Sequence, residues 1–277
     1  MTAKKAQNIL LTGLPRSGTT LACNLLNRIP NSVALHEPMP PTLLLRLGPA
    51  GLLEEIQRFF SEQRLQILMH GTAKSKAKDG MVPTNPLSEA DANGKRDFVL
   101  NGKEIRVPNV SSNDFDLYIK HPAFFTGALS ILASQFICFA IIRNPLAILL
   151  SWRAAGMPIT AGRWPLAEKF NPVLAKSLEA ETDVLQRQLI ILNFGFSQFL
   201  KFLPGRTIKY EEIIALCGRA LAPMNVSALH LNEPLESRNL LGIRSDPAAR
   251  AVAERLLGHD SACWSFYQRA DVEALLC

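Results

Sequence analysis

A short stretch near the start of the chain combines glycines, hydroxyls and an arginine at a spacing that suits anion binding. The apolar run Ile9–Leu11 leads into residues 13–20, which read GLPRSGTT, and apolar residues at helical spacing follow from Leu21. This order predicts a buried strand, a glycine-bearing turn and a helix packed on a sheet. Such a turn directs backbone N–H groups and a helix N-terminus towards an anion. Gly13 and Gly18 permit a close approach that a side chain would block. Two glycines, an arginine and three hydroxyls within eight residues make an ordinary strand-to-helix turn the weaker interpretation.

The glycine spacing is that of a nucleoside-triphosphate loop, but the residue that should hold the phosphates is different. In G-x-x-x-x-G-K-[ST] a lysine follows the second glycine, whereas Thr19 does so here. The first cation is Arg16, inside the loop, and its planar fork suits bidentate contacts with an oxyanion. A magnesium-binding partner strand would end in an aspartate, yet the predicted strand Phe136–Ile142 ends in Arg143. The sequence therefore predicts a cationic site that holds its ligand without a metal ion.

Charged side chains also follow other predicted strands. Besides Arg16 and Arg143, Glu37 and Lys120 each stand just after a short apolar run. The carboxyl ends of parallel strands meet at one edge of a sheet, where ligands bind in such folds. A single charged residue at a strand end is usually the start of a solvated loop. Four of them, of opposite signs, are better interpreted as one site.

Two segments resemble the nucleotide-binding signatures of sulfotransferases that use 3′-phosphoadenosine 5′-phosphosulfate (PAPS). Residues 15–21, PRSGTTL, are similar to the 5′-phosphosulfate loop of that family, in the form of its tyrosylprotein and carbohydrate branches. Arg143 and Ser151, eight residues apart, resemble the pair that binds the 3′-phosphate. The resemblance implies a soluble, bacterial-like sulfotransferase that moves the sulfuryl group of PAPS to a hydroxyl or amine and releases adenosine 3′,5′-bisphosphate (PAP).

The resemblance also implies roles for the matched residues. Lys120, in IKHPAF, is similar in place to a lysine that faces the sulfuryl group, and we expect it to stabilise the transition state. Glu37, in ALHEPMP, matches a carboxylate that resembles a general base. Arg16 is expected to stabilise charge on the leaving oxygen as well as to bind the donor. The implied PAPS ligands are Arg16, Ser17, Gly18, Thr19 and Thr20 on the 5′-phosphosulfate, Arg143 and Ser151 on the 3′-phosphate, and Tyr210 near the adenine.

His36 is the rival candidate for the base. An unperturbed glutamate has a pKa near ~4.3 and an unperturbed histidine one near ~6.5, so Glu37 needs help from its surroundings. Adjacent residues of a strand point to opposite faces, so we expect only one of the two to reach the acceptor. We favour Glu37 and expect His121 to be structural.

Apolar runs alternate with helical spacing along the whole chain. This pattern predicts an α/β fold: a P-loop-containing three-layer sandwich with a central, mostly parallel sheet flanked by helices. Residues 1–277 are expected to form a single domain, in which residues 71–96, polar and without periodicity, form a mobile loop. The predicted strands are Ile9–Leu11, Val33–Leu35, Leu117–Ile119, Phe136–Ile142 and Thr207–Tyr210, with a long helix over Leu178–Leu203 and a hairpin that turns at Asn101-Gly102.

Composition limits the class of protein. A hydrophobic share of 48% and a charged share of 19% indicate a globular chain, and the net charge of +6 suits a polyanionic small ligand. No dense Lys/Arg block supports nucleic-acid binding, and Arg143 interrupts the longest apolar stretch, which argues against a membrane span. Five scattered cysteines indicate reduced thiols in a cytoplasmic protein.

Other possibilities stay open at this stage. The acceptor could be a small molecule, a sugar, a peptide or a carrier-bound hydroxyl, and the oligomeric state is unknown. A metal-dependent P-loop kinase or NTPase is the first alternative function, opposed by Thr19 and by the missing strand-end aspartate. A non-catalytic protein that binds PAP or another nucleotide is the second.

Overall fold

The computed structural model describes residues 6–88, 97–153, 156–239 and 247–276. In these ranges the chain forms a central sheet of five strands, a separate sheet of two strands, and helices that flank the central sheet. The predicted α/β class is therefore confirmed. The strands are β1 (Asn8–Gly13), β2 (Ser32–His36), β3 (Thr72–Ala77), β4 (Gly102–Arg106), β5 (Asp116–Lys120), β6 (Ile137–Ile142) and β7 (Thr207–Lys209).

Helices connect the successive strands of the central sheet. Short 3-10 helices at Pro158–Ala161, Arg219–Leu221, Val226–His230 and Ala262–Ser265 complete the connections. The α-helices are α1 (Thr19–Leu26), α2 (Pro41–Leu44), α3 (Pro49–His70), α4 (Pro122–Gly127), α5 (Leu129–Leu132), α6 (Pro145–Arg153), α7 (Pro165–Phe170), α8 (Pro172–Ala180), α9 (Val184–Phe202), α10 (Tyr210–Ala215), α11 (Pro247–Leu257) and α12 (Arg269–Glu273).

The order of the central strands creates a ligand crevice. The order is β2-β5-β1-β6-β7, and every neighbouring pair is parallel. From β1 the chain continues towards the β2 edge, whereas from β6 it continues to β7 at the opposite edge. The carboxyl ends of β1 and β6 therefore border the point where the direction of winding reverses, which is where open α/β sheets bind their ligands.

The strand sequences explain why the central sheet forms. The inner strands β1, β5 and β6 are buried along almost their whole length, because helices cover both faces of a parallel sheet and leave no solvated side. Continuous apolar runs such as ICFAII in β6 meet this requirement. All five predicted strands are confirmed, with differences of one or two residues at their ends.

The predicted hairpin at Asn101-Gly102 is wrong. Gly102 begins β4, and β4 pairs antiparallel with β3, which lies about 30 residues earlier in the sequence. The prediction that residues 71–96 lack regular structure is wrong for the same reason, since they contain β3. Residues 89–96 of that predicted loop lie outside the described residues.

The predicted helix over Leu178–Leu203 is divided in two. Helix α8 ends at Ala180, and α9 begins at Val184. Asp183 precedes α9 as its N-cap, and its carboxylate accepts a hydrogen bond from the Gln186 N–H at 2.6 Å. This cap satisfies a backbone donor that a continuous helix would have paired internally.

Candidate active site

The loop between β1 and α1 has the geometry of an anion cradle. Its backbone closes through a hydrogen bond from the Ser17 N–H to the Leu14 carbonyl at 3.1 Å. The first intrahelical bond of α1 runs from the Ala22 N–H to the Gly18 carbonyl at 3.0 Å, so the N–H groups of the first turn precede it without intrahelical partners. Those donors and the positive end of the helix are available to an anion.

Both glycines of the loop are required by their surroundings. A Cβ atom on Gly13 would lie 2.4 Å from the carbonyl oxygen of Ile141, where β1 and β6 run side by side. Gly18 has a φ of +97°, and a Cβ atom there would lie 2.6 Å from the Tyr210 ring. The close approach of backbone to its neighbours thus accounts for both glycines of the sequence motif.

Arg16 lies at the tip of the loop, with a left-handed backbone at a φ of 70°. Its Nε donates to Ser151 Oγ and its Nη1 to Asn85 Oδ1, both at 3.1 Å. Ser151 lies on α6, which contacts the loop a second time through a hydrogen bond from Trp152 Nε1 to the Pro15 carbonyl at 2.8 Å. The guanidinium is therefore held in one orientation from two sides.

Arg143 connects the end of β6 to two other segments. Its Nη1 donates to the Arg16 carbonyl at 3.0 Å, its Nη2 to the Arg238 carbonyl at 2.8 Å, and its Nε to Asn239 Oδ1 at 2.7 Å. The side chain is buried, and burial lowers its pKa, although an arginine stays charged across the physiological range. A guanidinium has five N–H groups, so Arg143 keeps two that have no partner among the described residues.

Tyr210, the first residue of α10, packs between the loop and Arg143. The Arg143 guanidinium lies 4.7 Å from the centre of the Tyr210 ring, a cation–π contact, and the tyrosine oxygen accepts a hydrogen bond from the Arg238 N–H at 3.0 Å. Because Gly18 faces the same ring, Tyr210 fixes the position of the loop relative to the end of β6.

Glu37 lies between two lysines. Its Oε1 accepts from Lys120 Nζ at 2.8 Å and its Oε2 from Lys76 Nζ at 2.6 Å. The Lys120 side chain is buried, whereas those of Glu37 and Lys76 are 26% and 42% exposed. Burial alone would raise the pKa of Glu37. The charge of Lys120, the contact with His36 and the charge of Lys76 together outweigh burial and hold the pKa well below its ordinary value.

The two histidines of the site are neutral. Burial, followed by the charge of Lys120, lowers the pKa of His36 to about 4, and burial lowers that of His121 to about 3. His36 Nε2 lies 3.7 Å from Glu37 Oε1. His121 accepts a hydrogen bond from the Met39 N–H at 3.2 Å through Nε2 and packs edge-on against Phe124 and Phe125, contacts that serve the core.

One large cavity, of about 1420 Å³, lies at this edge of the sheet. It brings together nearly all the residues singled out in the sequence, including the two arginines at the ends of β1 and β6. Ser17 is the exception, because it is fully buried and its hydroxyl has no partner among the described residues. The predicted residues that line the cavity are Arg16, Gly18, Thr19, Thr20, Glu37, Lys120, Arg143, Ser151 and Tyr210.

Ser151 and Arg143 were predicted to bind one phosphate together, but in the structure their side chains contact different residues. Ser151 Oγ accepts from Arg16, whereas Arg143 contacts the Arg16 backbone, Arg238 and Asn239. Both line the cavity, so the assignment to a 3′-phosphate stays a prediction.

Sequence reasoning missed Lys76, Asn85 and Asn239, polar residues of the cavity that pair with predicted site residues. Lys76 pairs with Glu37, Asn85 accepts from Arg16, and Asn239 accepts from Arg143 and donates to Glu211 Oε1 at 2.8 Å. No local pattern marks them, since each acquires its role from a partner at least 39 residues away in the chain.

Within the described residues, no group of three or more His, Cys, Asp or Glu side chains is arranged to hold a metal ion. None of the helices in these ranges combines the length and the apolar character needed to cross a membrane. Cys23, Cys138, Cys217 and Cys263 are free thiols, and Cys277 lies outside the described residues.

The fold and the cavity define an α/β protein with an arginine-bearing loop at the switch point of its sheet, and three solved structures similar to it over nearly the whole of this chain are sulfotransferases. One is the sulfotransferase domain of the Synechococcus PCC 7002 olefin synthase, with 15% identity, a TM-score of 0.39 and coverage of 100% of this chain and 95% of that one. A sulfotransferase of Mycobacterium avium has 15% identity, a TM-score of 0.35 and coverage of 99% and 75%. One from Mycobacterium tuberculosis has 14% identity, a TM-score of 0.34 and coverage of 99% and 77%. No family model and no curated protein matches the chain. At these identities and TM-scores, nothing about function follows from the likeness.

Proposed function

We propose that the protein is a cytoplasmic, PAPS-dependent sulfotransferase that transfers a sulfuryl group to a hydroxyl or amine of an organic acceptor and releases PAP. The observation that carries the proposal is the Glu37–Lys120 pair, which lies in the same cavity as the Arg16 loop. A carboxylate can accept the acceptor's proton, a buried ammonium can stabilise charge on the transferred group, and an arginine-bearing loop can bind the donor.

The cavity suits the donor in size and charge. Ligand pockets commonly measure about 300–1,000 Å³, so about 1420 Å³ leaves space for an acceptor beside a nucleotide. Seven lysine or arginine side chains and two carboxylates line it, a balance that favours a ligand with several negative charges. The unpaired N–H groups at the start of α1 and the two remaining N–H groups of Arg143 are donors for phosphate oxygens.

The residues then have distinct roles in an in-line displacement. The acceptor oxygen forms a bond to sulfur while the bond from sulfur to the bridging phosphate oxygen breaks, and the electron pair leaves with the phosphate. Arg16 and the loop N–H groups stabilise the charge on that leaving oxygen, and Lys120 stabilises charge on the sulfuryl oxygens. Glu37 accepts the proton of the acceptor hydroxyl.

Binding of the donor would also make Glu37 a stronger base. In the structure Glu37 accepts hydrogen bonds from both Lys120 and Lys76. The two ammonium groups stabilise its ionised form and lower its proton affinity. A sulfuryl group competes with Glu37 for Lys120. Any weakening of the Glu37–Lys120 contact raises the pKa of Glu37 towards that of an unpaired carboxylate and improves proton transfer.

Equilibrium binding and a transfer assay test the proposal together. We expect the purified chain to bind PAP tightly by calorimetry and AMP or ATP–Mg²⁺ much more weakly, because only PAP carries a 3′-phosphate. It should transfer labelled sulfate from PAPS to at least one member of a panel of phenols, alcohols, sugars, peptides and carrier-bound hydroxyls. Tight ATP–Mg²⁺ binding without PAP binding would instead support the kinase or NTPase alternative.

The variants Glu37→Gln and Lys120→Ala separate an enzyme from a non-catalytic nucleotide-binding protein. Loss of a general base typically slows proton-dependent steps by about 10²–10⁴-fold, so we expect Glu37→Gln to lose transfer while PAP affinity changes little. If PAP binds but neither variant alters sulfate transfer, the catalytic assignment of both residues is wrong.

A further inference from the structure

The two-stranded sheet carries a β-bulge beside the cavity. Lys74 of β3 pairs with β4 in one register and Ala77 in a register shifted by one residue, so Ser75 and Lys76 together lie opposite Lys103. A bulge of two residues against one changes the direction of the side chains that it carries, and bulges are frequent beside active sites. Here Lys76 and Lys103 both line the cavity.

The two lysines leave a positive charge without a counter-charge. Lys76 donates to Glu37, but Glu37 is already bound to Lys120, so one carboxylate serves two ammonium groups. Lys103 is exposed and has no carboxylate partner within the described ranges. Like charges on facing positions of paired strands are unfavourable. An anion bound at Lys103 would supply the missing counter-charge.

Part of the lining of the same cavity is apolar. Phe98 is 55% exposed although it lines the cavity, and Leu100, Leu87 and Met157 line the same space. An aromatic ring left open to water in a cavity gains free energy when an apolar ligand covers it, at roughly 25 cal/mol per Å² of apolar surface. This part of the cavity therefore suits an apolar body, and the lysine suits a negative group attached to it.

We propose that the acceptor is a small amphiphile: a hydroxyl compound with an apolar body and an anionic group, either a carboxylate or a phosphate. The apolar body packs on Phe98 and Leu100, Lys103 binds the anionic group, and the hydroxyl lies at Glu37. This proposal rests on the sulfotransferase function proposed above. Charge at Lys103 then contributes directly to acceptor binding.

Matched pairs of compounds test the proposal directly. The probes are ω-hydroxydodecanoate, its methyl ester and ω-hydroxydodecyl phosphate, with hydroxyphenylpropanoate and its methyl ester as a second set. Calorimetry measures their affinity for the protein with and without PAP, and labelled PAPS measures their KM and kcat. We expect each anionic member to bind about two- to fivefold more tightly than its ester, because an ion pair with an exposed lysine contributes roughly that much.

Three variants assign the preference to one lysine. Lys103→Glu should abolish the preference for the anionic members, seen as a rise in their KM relative to that of the esters, and Lys103→Arg should keep it. Lys74→Glu is the control, because Lys74 is an exposed lysine of the same sheet that does not line the cavity.

The outcomes separate the two proposals. Equal affinity for acid and ester, or equal effects of Lys103→Glu and Lys74→Glu, overturns the anionic acceptor even if PAP binds and sulfate is transferred. Absence of PAP binding and of transfer overturns the sulfotransferase function, and the anionic preference is then still measured on the protein without PAP. If neutral sugars or peptides are the best substrates, the proposal that the acceptor is an anionic amphiphile is also contradicted.

Discussion

Arg143 donates from Nη1 to the carbonyl oxygen of Arg16 at 3.0 Å, across the point where the winding of the sheet reverses. The bond joins the residue that follows β6 to the tip of the loop that follows β1. Since Arg143 also binds the Arg238 carbonyl and Asn239, one side chain holds three segments around the crevice. The shape of the anion loop therefore depends on a residue more than a hundred positions away.

Replacement of Arg143 should destabilise the protein as well as weaken nucleotide binding. Arg143→Ala leaves two carbonyl oxygens and one amide oxygen without their donor in a buried place, and we expect a loss of about 2–4 kcal/mol in the free energy of unfolding. Arg143→Lys should recover only part of it, because an ammonium cannot reproduce the fork. Urea denaturation measures the free energy of unfolding of both variants, with Arg250→Ala on the exposed side of α11 as control. An Arg143→Ala protein as stable as the unmodified chain would contradict this structural role.

Lys76 should contribute, with the larger effect of Lys120, to the lower pH limit of activity. It is one of the groups that hold the pKa of Glu37 below its ordinary value, together with Lys120 and His36. Glu37 must be ionised to accept a proton, so kcat/KM falls as the pH drops through its pKa. We expect Lys76→Met to move this acidic limb to higher pH and Lys76→Arg to leave it in place.

The lowered pKa of Glu37 also predicts how the stability of the protein depends on pH. A carboxylate whose pKa is lower in the folded state stabilises the fold above its unfolded pKa, about 4.3, and this contribution is lost as the pH falls through the folded value. The acid transition of Lys76→Met, followed by circular dichroism, should therefore begin at a higher pH. An unchanged pH–rate profile and an unchanged acid transition would show that Lys76 does not tune Glu37.

Gly18 allows a test of the contact between the loop and α10. Gly18→Ala places a Cβ atom 2.6 Å from the Tyr210 ring at a φ of +97°, so we expect a loss of more than about 2 kcal/mol in stability and weaker PAP binding. Gly51 in α3 is the matched control, because its nearest neighbour to an added Cβ is 3.7 Å away. Gly51→Ala should increase stability by about 0.5–1 kcal/mol. Equal effects of the two substitutions would exclude a steric role of Tyr210.

The central sheet can be predicted from the sequence because consecutive residues mark each of its strands. A buried strand such as β6 is a run of apolar residues that ends at a polar or turn residue, and Gly13 and Arg143 mark two such ends. The anion loop is equally local, since its strand, turn and helix are consecutive. Both could therefore be predicted from short windows of sequence.

The second sheet could not be predicted in this way. In β3, TAKSKA, the buried positions are the small residues Ala73, Ser75 and Ala77, so the alternation carries little hydrophobic signal. Its partner β4 lies far along the chain, and Asn101-Gly102 resembles a hairpin turn more than the start of a strand. The role of Lys76 follows from the bulge in this sheet and from the packing of β3 against β2, where the His36 N–H donates to Ser75 Oγ at 2.9 Å. Neither the bulge nor the packing of β3 against β2 can be predicted from a short window of sequence.

Arg16 offers a way to remove a binding side chain without straining the backbone. Its φ of 70° lies in the left-handed region, which glycine adopts without cost and alanine does not. Arg16→Gly and Arg16→Ala both lose the hydrogen bonds to Ser151 and Asn85, and both should lower PAP affinity by at least about tenfold, because a charge-assisted contact is lost.

The two Arg16 variants should differ in stability. We expect Arg16→Gly to be more stable than Arg16→Ala by about 1 kcal/mol, because only alanine keeps the left-handed strain. Cys217, with a φ of 52° and no place in the cavity lining, is the control: Cys217→Gly should leave PAP affinity unchanged. Calorimetry measures the PAP affinity of each variant, and urea denaturation measures its free energy of unfolding. If Arg16→Gly binds PAP as tightly as the unmodified chain, then backbone N–H groups alone hold the anion and the guanidinium has no role in binding it.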